Sequence, residues 1–235
     1  FSVNGIFCPP FIYLNDNLLQ QAQTFYDEIC KDCEVSKLEQ LIFEIETGSR
    51  PKGGAESEGI PSIGAEKIER FGIYDFSGEK YISESYFSKL KRGIVLSGDV
   101  LLYKDGAYTG KSSMALDGFP HEKCAVNEHV FILRTKDNFA QYFLYFTLSS
   151  PSIREKVYTL ACGKAAQPGL NQQELFSVEI PLPPIESIIS FEEKIDPHMH
   201  AVASNALENL KLANLRDTLL PKLMSGEINV DSVEL

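Results

Sequence analysis

The longest hydrophobic pattern of the chain lies in its last fifty residues. Apolar side chains recur there at steps of three, four and once seven residues, at Ile188, Phe191, Ile195, Met199, Val202, Ala206, Leu210, Ala213 and Leu220. A period near 3.5 is typical of a helix that packs along another helix. Because Asp196 can cap a helix that begins at Pro197, we expect a short helix near 186–195 and a long one near 197–224, or one kinked helix.

A second stripe near the N-terminus predicts a helix over residues 15–33, capped by Asn15 or Asp16. We expect the tail stripe to pack against such a helix of another copy, or against helices that the sequence lacks. The alternative is that the tail helix lies on its own domain. The side chains predicted for this packing are Leu18, Ala22, Phe25, Ile195, Met199, Val202, Ala206 and Leu210.

Between these helices the hydrophobic runs are shorter and are separated by Gly, Pro and polar residues. This pattern predicts strands near 59–64, 72–76, 99–103, 129–134 and 176–182. Residues 139–149 and 151–161 are predicted helices, whereas 38–45 fit either structure. The chain is therefore expected to be α+β. A domain at 38–182 with a twisted mixed β-sheet and flanking helices would lie between a partial helical region at 1–37 and a long, coiled-coil-like helical arm at 183–235.

Polar loops with cations and amides lie between these elements, at 47–54, 104–113 and 163–172. Lys and Arg can bind phosphates or guanine edges, and Gln and Asn can pair with adenine. The basic run at 89–92 offers further phosphate contacts. The alternative for each residue is a solvated surface charge. The candidate DNA-binding residues are Arg50, Lys52, Lys91, Arg92, Lys104, Tyr108, Lys111, Lys164, Gln167 and Asn171.

The formal net charge of −11 argues at first against a nucleic-acid partner. The charge is uneven, however, since residues 80–136 carry nine basic and six acidic side chains, whereas both ends are acidic. The middle of the chain can therefore present a basic face.

Other chemistry is weakly indicated. Five cysteines, an odd number, argue against a disulfide framework and favour a reducing cytoplasm. No apolar run has the length of a membrane helix, and the first residues do not resemble a signal peptide. Because the sequence begins with Phe1 rather than Met, we expect a fragment or a processed chain. The Cys30 and Cys33 pair and the His198 and His200 pair lack further metal ligands, and Gly110-Lys111-Ser112 lacks the glycine that a phosphate-binding loop needs at 105. No catalytic residue and no metal site are predicted.

Six short motifs, in this order and spacing, resemble the specificity subunit of type I restriction-modification systems. They lie at 47–51, 59–63, 97–102, 169–175, 178–185 and 219–228. The family commonly has Trp where Ser62 stands, and often Gln where Glu186-Ser187-Ile188 follows the Pro-Pro pair. One target-recognition domain with parts of two helices resembles a C-terminal half, or a half-size subunit that would dimerise.

The resemblance implies a non-catalytic reader of double-stranded DNA that recognises one half of a bipartite site. It also implies that the helices separate two recognition domains and dock modification subunits, which methylate adenine from S-adenosylmethionine. Restriction subunits would use ATP, so both cofactors are expected only on partners. In agreement, the chain lacks an Asp/Asn-Pro-Pro-aromatic methylation motif. The competing interpretations are a structural protein-interaction module and the recognition part of a fused restriction-methylation enzyme.

Overall fold

The computed structural model describes residues 11–163 and 169–228, which form helices around small β-sheets. In chain order the elements are α1 (Ile12–Cys30), β1 (Val35–Lys37), β2 (Ile42–Thr47), β3 (Ile60–Ile63), β4 (Tyr81–Ile82), α2 (Glu84–Phe87), β5 (Val100–Tyr103), β6 (Ser112–Met114), β7 (Ala125–Val126), β8 (Val130–Thr135), α3 (Gln141–Ser149), α4 (Pro151–Cys162), α5 (Gln172–Phe176), β9 (Glu179–Pro181) and α6 (Ile185–Met224).

The predicted α+β class is confirmed, although the strands of the described residues form three sheets rather than one. The largest has four strands in the order β2-β8-β5-β6, and every neighbouring pair in it is antiparallel. The three-stranded sheet, β4-β3-β7, is the mixed one, because β3 pairs with β7 in parallel. Strands β1 and β9 form an antiparallel pair.

Helix α3 lies at the centre of the molecule. All but the last of its residues are buried, as its almost uniformly apolar sequence requires. Its rings meet those of two other helices, since Phe143 and Phe146 both contact Tyr26 of α1 and Phe191 of α6. One hydrophobic core therefore includes α1, α3, the four-stranded sheet and the start of α6. This core crosses the predicted domain boundaries at 37/38 and 182/183, which stay predictions.

The tail forms one continuous helix, so the expected break at Pro197 is wrong. Helix α6 begins at Ile185, directly after Pro184, and includes both Pro197 and Pro221. Proline lacks the N–H that would bind the carbonyl four residues earlier. Packing outweighs this loss, because Ile195 and Met199, on either side of Pro197, are fully buried.

Helices α1 and α6 run antiparallel within the same chain. The Phe11 N–H donates to Asn209 Oδ1 at 3.3 Å, the Asn15 Nδ2 group donates to the Val202 carbonyl at 3.3 Å, and Lys194 Nζ lies 3.6 Å from the Phe25 ring centroid. The predicted packing residues lie in this pair: Ala22, Ile195, Met199, Val202 and Ala206 are buried, and Leu18, Phe25 and Leu210 are half-buried. The structure thus uses the stripe inside one chain, as in the alternative with the tail on its own domain.

The partner helix ends before α6 does. We call residues 185–209 of α6 the proximal segment, which packs against α1 and the core, and residues 210–224 the distal segment. The distal segment is about 22 Å long at about 1.5 Å per residue. It exposes Leu215, Leu219, Leu220, Leu223 and Met224.

Three further predictions need correction. Helix α1 spans Ile12–Cys30, and Asn15 is a buried residue within it rather than its cap. Residues 72–76 are not a strand, because the chain turns there with Gly72 at φ 84°. The run 176–182 is divided between the end of α5 and strand β9, while 38–45 forms a 3-10 turn followed by β2.

Candidate nucleic-acid interface

The antiparallel order of the four-stranded sheet brings three loops to one edge. Thr47, the last residue of β2, pairs with Phe131, and Tyr103, the last residue of β5, pairs with Val130 at the start of β8. Residues 48–54, 104–111 and 127–129 therefore leave the sheet at the same edge, which we call the loop edge. The sequence predicted two of these loops but not their proximity.

Ion pairs connect the three loops at this edge. An Arg50 guanidinium nitrogen lies 3.1 Å from Glu128 Oε1, and Lys104 Nζ donates to the Glu128 carbonyl at 3.1 Å. Lys104 Nζ also lies 3.4 Å from Asp105 Oδ2. His129 contacts the carboxylates of Asp105 and Glu128 at 3.3 and 3.4 Å. Arg50 and Lys104 are thus oriented by carboxylates, and a phosphate would have to replace those carboxylates to bind them.

The third predicted loop reaches the same edge through its C-terminal end. The Leu170 N–H donates to the Lys104 carbonyl at 3.1 Å, and Gly169 forms a bridge with Asp105. A cavity of about 510 Å³ lies between Lys104, Asn171 and Gln172. The Asn171 side chain caps α5, because its Oδ1 accepts the Glu174 N–H at 2.9 Å. The candidates Lys164 and Gln167 lie outside the described residues.

The basic run at 89–92 is held beside the loop edge by backbone contacts. The Val126 N–H donates to the Gly93 carbonyl at 2.9 Å, and the Gly93 N–H donates to Glu46 Oε2 at 2.6 Å. A side chain at Gly48 would lie 1.6 Å from the Val126 carbonyl oxygen, and one at Gly93 would lie 2.6 Å from Gly48 Cα. Only glycine fits at these positions, so Lys91 and Arg92 are brought next to the loop that carries Arg50.

A half-buried arginine on β8, Arg134, stabilises this arrangement. Arg134 binds both oxygens of Asp99, at 2.6 and 2.8 Å, and its guanidinium also reaches Glu44 and Glu46. Bonding to Asp99 raises the pKa of Arg134, while burial raises the pKa of Asp99 against the lowering effect of the guanidinium. Because Glu46 accepts the Gly93 N–H, the network also positions the segment that follows Arg92.

Three exposed cations remain available at the loop edge. Lys52, Lys91 and Arg92 are exposed, and within the described ranges none of them pairs with a carboxylate. These three can bind phosphates without giving up an internal partner. Together with Arg50 and Lys104 they outnumber the loop-edge carboxylates Asp105 and Glu128.

Two predicted residues of the second loop lie on its other side, toward α4. Lys111 pairs with Glu69, and its Nζ lies 4.5 Å from the ring centroid of Tyr108. Gly110 lies against Arg154 and Val157, since a side chain there would approach both within 3.5 Å. Tyr108 and Lys111 therefore belong to the face between the β5–β6 hairpin and α4, and Lys104 alone of this loop's candidates joins the loop edge.

The sequence prediction missed His129, Gln172 and Arg154. The sequence analysis placed His129 at the start of a predicted strand and Gln172 at the end of a predicted loop and proposed a contact for neither, whereas the structure has them directly before β8 and at the start of α5. Arg154 lies in a predicted helix, where a single cation carries no signal. Pairing β5 with β8 from their two apolar runs would have placed His129 at the loop edge.

The described residues contain no group of three or more His, Cys, Asp or Glu side chains that could hold a metal ion. Four cysteines in the described part of the chain are free thiols. The search for a helix long and apolar enough to cross a membrane finds none in residues 11–163 and 169–228.

Comparison with known proteins identifies related sequences and a related fold. A family model described as the type I restriction modification DNA specificity domain matches residues 30–215. The type I restriction enzyme HindI specificity subunit of Haemophilus influenzae is 34% identical over 102 residues, which cover 43% of this chain and 22% of that protein. The type I restriction enzyme MjaIX specificity subunit of Methanocaldococcus jannaschii is 24% identical over 209 residues, covering 88% of this chain and 46% of that protein.

A solved structure is similar in fold. The S subunit of a type I restriction-modification system from M. genitalium superposes with a TM-score of 0.55 at 13% identity, over 90% of this chain and 56% of that chain. At this identity the similarity concerns the fold alone. The chain spans about half the length of the curated relatives that it matches.

Proposed function

Because this chain belongs to the family of type I restriction-modification DNA specificity domains, we propose that it binds double-stranded DNA through the loop edge. The observation that supports this most directly is the convergence of cationic loops at one edge of the four-stranded sheet. Lys52, Lys91 and Arg92 supply phosphate contacts there, and the cavity beside Lys104 offers Gln172 as a polar group for base edges.

The proposed DNA contact divides into two kinds. Free cations attract the duplex at long range and bind its phosphates, which contributes affinity but no sequence preference. Arg50 and Lys104 are held by carboxylates in defined directions, so they serve as oriented donors toward guanine or phosphate. With one such edge, the chain reads one half of a bipartite site.

In this proposal the chain itself has no catalytic activity. Methyltransferase subunits would transfer the methyl group, and restriction subunits would cleave the DNA after their own ATP-driven steps. S-adenosylmethionine and ATP would bind only to those partners. Helix α6 would supply the docking surface for the methyltransferase subunits, because it extends beyond the core that covers its proximal segment.

We further propose that two copies pair through the distal segment of α6. The chain has about half the length of its curated relatives, and a second copy would supply the second recognition domain. The exposed leucines of the distal segment, from Leu215 to Leu223, form an apolar face about two and a half helical turns long, which suits helix-to-helix packing. A dimer would have a mass of about 53 kDa, twice the 26.3 kDa of one chain.

Duplex binding measured against salt tests the DNA proposal. With the methyltransferase partner present, the logarithm of the affinity should fall with the logarithm of the salt concentration, with a slope of about −0.9 per phosphate contact. Lys52→Ala, Lys91→Ala and Arg92→Ala should each reduce the slope by about one contact. Lys136→Ala, exposed directly after β8 at the opposite end of the four-stranded sheet, is the matched control and should leave the slope unchanged.

Two results would contradict this proposal. One is the absence of duplex binding with the partner present, which would favour a protein-interaction module. The other is an equal effect of all four alanine variants, because the contact would then not be localised at the loop edge.

A further inference from the structure

A second polar cavity lies on the β6 side of the β5–β6 hairpin, away from the loop edge. It has a volume of about 310 Å³ and lies between the hairpin, α4 and the segment at 69–73. Three cations line it, Arg70, Lys111 and Arg154. Two hydroxyl groups lie beside them, those of Ser112 and Ser149, whose oxygens are 2.9 Å apart.

The three cations differ in what already binds them. Arg70 pairs with Asp16 and Lys111 with Glu69. Arg154 is exposed and, among the described residues, has no carboxylate partner. The positive charge that remains unpaired at this cavity therefore belongs to Arg154, next to a pair of serine hydroxyls that share one hydrogen bond.

A neighbouring cavity of about 390 Å³ shares Ser149 and Arg154 with the first. Its walls include the rings of Tyr108, which is 58% exposed, and Tyr158, which is 41% exposed. Both volumes lie within the range of about 300–1,000 Å³ found for ligand cavities. An unpaired cation and two hydroxyls thus lie directly beside two exposed aromatic rings.

From this juxtaposition we infer that the groove between the β5–β6 hairpin and α4 binds a nucleoside monophosphate unit. Arg154 and the serine hydroxyls hold the phosphate, and the base lies against Tyr158, because Lys111 Nζ already lies over the Tyr108 ring. Two sources share this chemistry, a free mononucleotide and an unpaired nucleotide of a single strand. A base within a duplex is stacked on both faces and is excluded from such a wall.

The inference goes beyond the proposed function, because it concerns a different ligand and a different side of the hairpin. None of Arg154, Tyr108 and Tyr158 contributes to the ion pairs of the loop edge. Duplex binding and nucleotide binding can therefore succeed or fail independently of each other.

Calorimetry on the full chain tests the groove with four probes. These are the 2′-deoxyadenosine and thymidine 5′-monophosphates, inorganic phosphate, and a single-stranded ten-residue thymidine oligonucleotide. Both mononucleotides should bind more tightly than inorganic phosphate by about five-fold or more, because base stacking on an aromatic ring adds to the phosphate contact. Tighter binding of the oligonucleotide than of thymidine monophosphate identifies a strand as the source, and the reverse identifies a free nucleotide.

Four variants distinguish the groove from unspecific attraction. Arg154→Ala and Tyr158→Ala should each weaken mononucleotide binding by about tenfold. Tyr158→Phe, which keeps the ring, and Lys156→Ala, which removes a cation from another face of α4, should bind as the unaltered chain does. All three substituted positions are exposed, so unchanged thermal melting confirms that the four variants fold.

The inference is overturned by any of three results. These are phosphate binding as tight as nucleotide binding, unchanged affinity in Arg154→Ala, and the absence of binding by both the mononucleotides and the oligonucleotide. Arg154→Ala and Tyr158→Ala should retain duplex binding. A loss of duplex binding in the loop-edge variants therefore gives no information about the groove.

Discussion

The two segments of α6 follow the same hydrophobic period but have different environments. The proximal segment buries Phe191, Ile195 and Met199 against α1 and α3. The distal segment continues the pattern with Leu215, which is 54% exposed, and Leu219, which is 36% exposed. A period near 3.5 thus shows that a helix offers an apolar face, but the length of the partner helix decides where that face becomes an intrachain core and where it stays available.

Truncation of an aromatic side chain in the proximal segment should give the largest change in the free energy of unfolding. Phe191→Ala removes a ring that contacts Tyr26, Phe143 and Phe146, and it should lower the free energy of unfolding by about 3–5 kcal/mol. Leu215→Ala, in the distal segment, should change it by less than about 0.5 kcal/mol at low protein concentration. Urea denaturation of both variants measures the difference, and equal costs would show that the distal segment is also part of the core.

Charges placed on the distal face should affect association rather than folding. Leu215→Glu with Leu219→Glu puts two carboxylates into the proposed dimer contact, which should raise the dimer dissociation constant about 100-fold. Sedimentation equilibrium measures the mass, and urea denaturation should show unchanged stability. Thr218→Glu, exposed on the same segment, is the control and should remain dimeric. A monomer of the unaltered chain at all concentrations would remove the basis for pairing through this face.

The pH dependence of stability tests how the proximal segment joins α3. Glu192 accepts the N–H groups of Tyr142 and Phe143 at 3.2 and 2.6 Å, at the first turn of α3. Burial raises the pKa of Glu192 from 4.5 to about 8, against the lowering effect of those two bonds. Between these values the folded chain holds a proton that the unfolded chain has released. This contribution to stability is complete below pH 4.5 and is lost as the pH rises through 8.

Denaturation at pH 5 and at pH 8.5 therefore separates Glu192 from its neighbours. The unaltered chain should lose about 4 kcal/mol more than Glu192→Gln across this interval, because the amide cannot ionise. Glu193→Gln, at the exposed neighbouring position, should follow the unaltered chain. Identical pH profiles for the unaltered chain and Glu192→Gln would exclude Glu192 as the titrating group.

The smallest effect is expected at the polar contact between α1 and α6. Asn15 donates to the Val202 carbonyl at 3.3 Å and accepts from Asn205 at 2.9 Å. Asn15→Ala should lower the free energy of unfolding by about 1–2 kcal/mol, because a buried amide loses its partner. Asn17→Ala, exposed on the same helix, should cost less than about 0.5 kcal/mol in the same denaturation experiment. Equal costs at both positions would show that the contact contributes nothing specific.

The helix stripes show what periodicity can predict. The spacing of Ile195, Met199, Val202 and Ala206 correctly predicted a helix and its buried face, but several surfaces satisfy an apolar face equally well. The choice of α1 from the same chain depends on tertiary contacts such as Asn15 with Val202. For the same reason Asn15 looked like a cap: a polar residue before an apolar stripe is typical of one, and its buried partner lies 187 residues away.

The candidate site shows a different limit of prediction from sequence. The cationic loops were identified from composition, whereas their convergence follows from the strand order β2-β8-β5-β6, which short apolar runs do not encode. Lys104 and Lys111 stand in one loop and were both predicted to bind DNA, yet Lys104 contacts the Glu128 carbonyl whereas Lys111 pairs with Glu69. The direction of a side chain in a hairpin loop depends on the turn geometry, and this was not readable from residue types.

The close approach of Gly48, Gly93 and Val126 has a consequence for how recognition domains diversify. At this point the loop edge is joined by main-chain atoms, with no side chain between the two segments. Substitutions at 49–54 and at 89–92 therefore change the side chains of these two loops without altering the main-chain contact between Gly48, Gly93 and Val126. We expect that these loops can be exchanged between related domains, provided that the receiving domain has glycines at the positions of Gly48 and Gly93 and a carboxylate at the position of Glu46. Under the proposed function, changes in these two loops, at Lys104 and at Gln172 would alter the DNA contact while the close approach of Gly48 and Gly93 is retained.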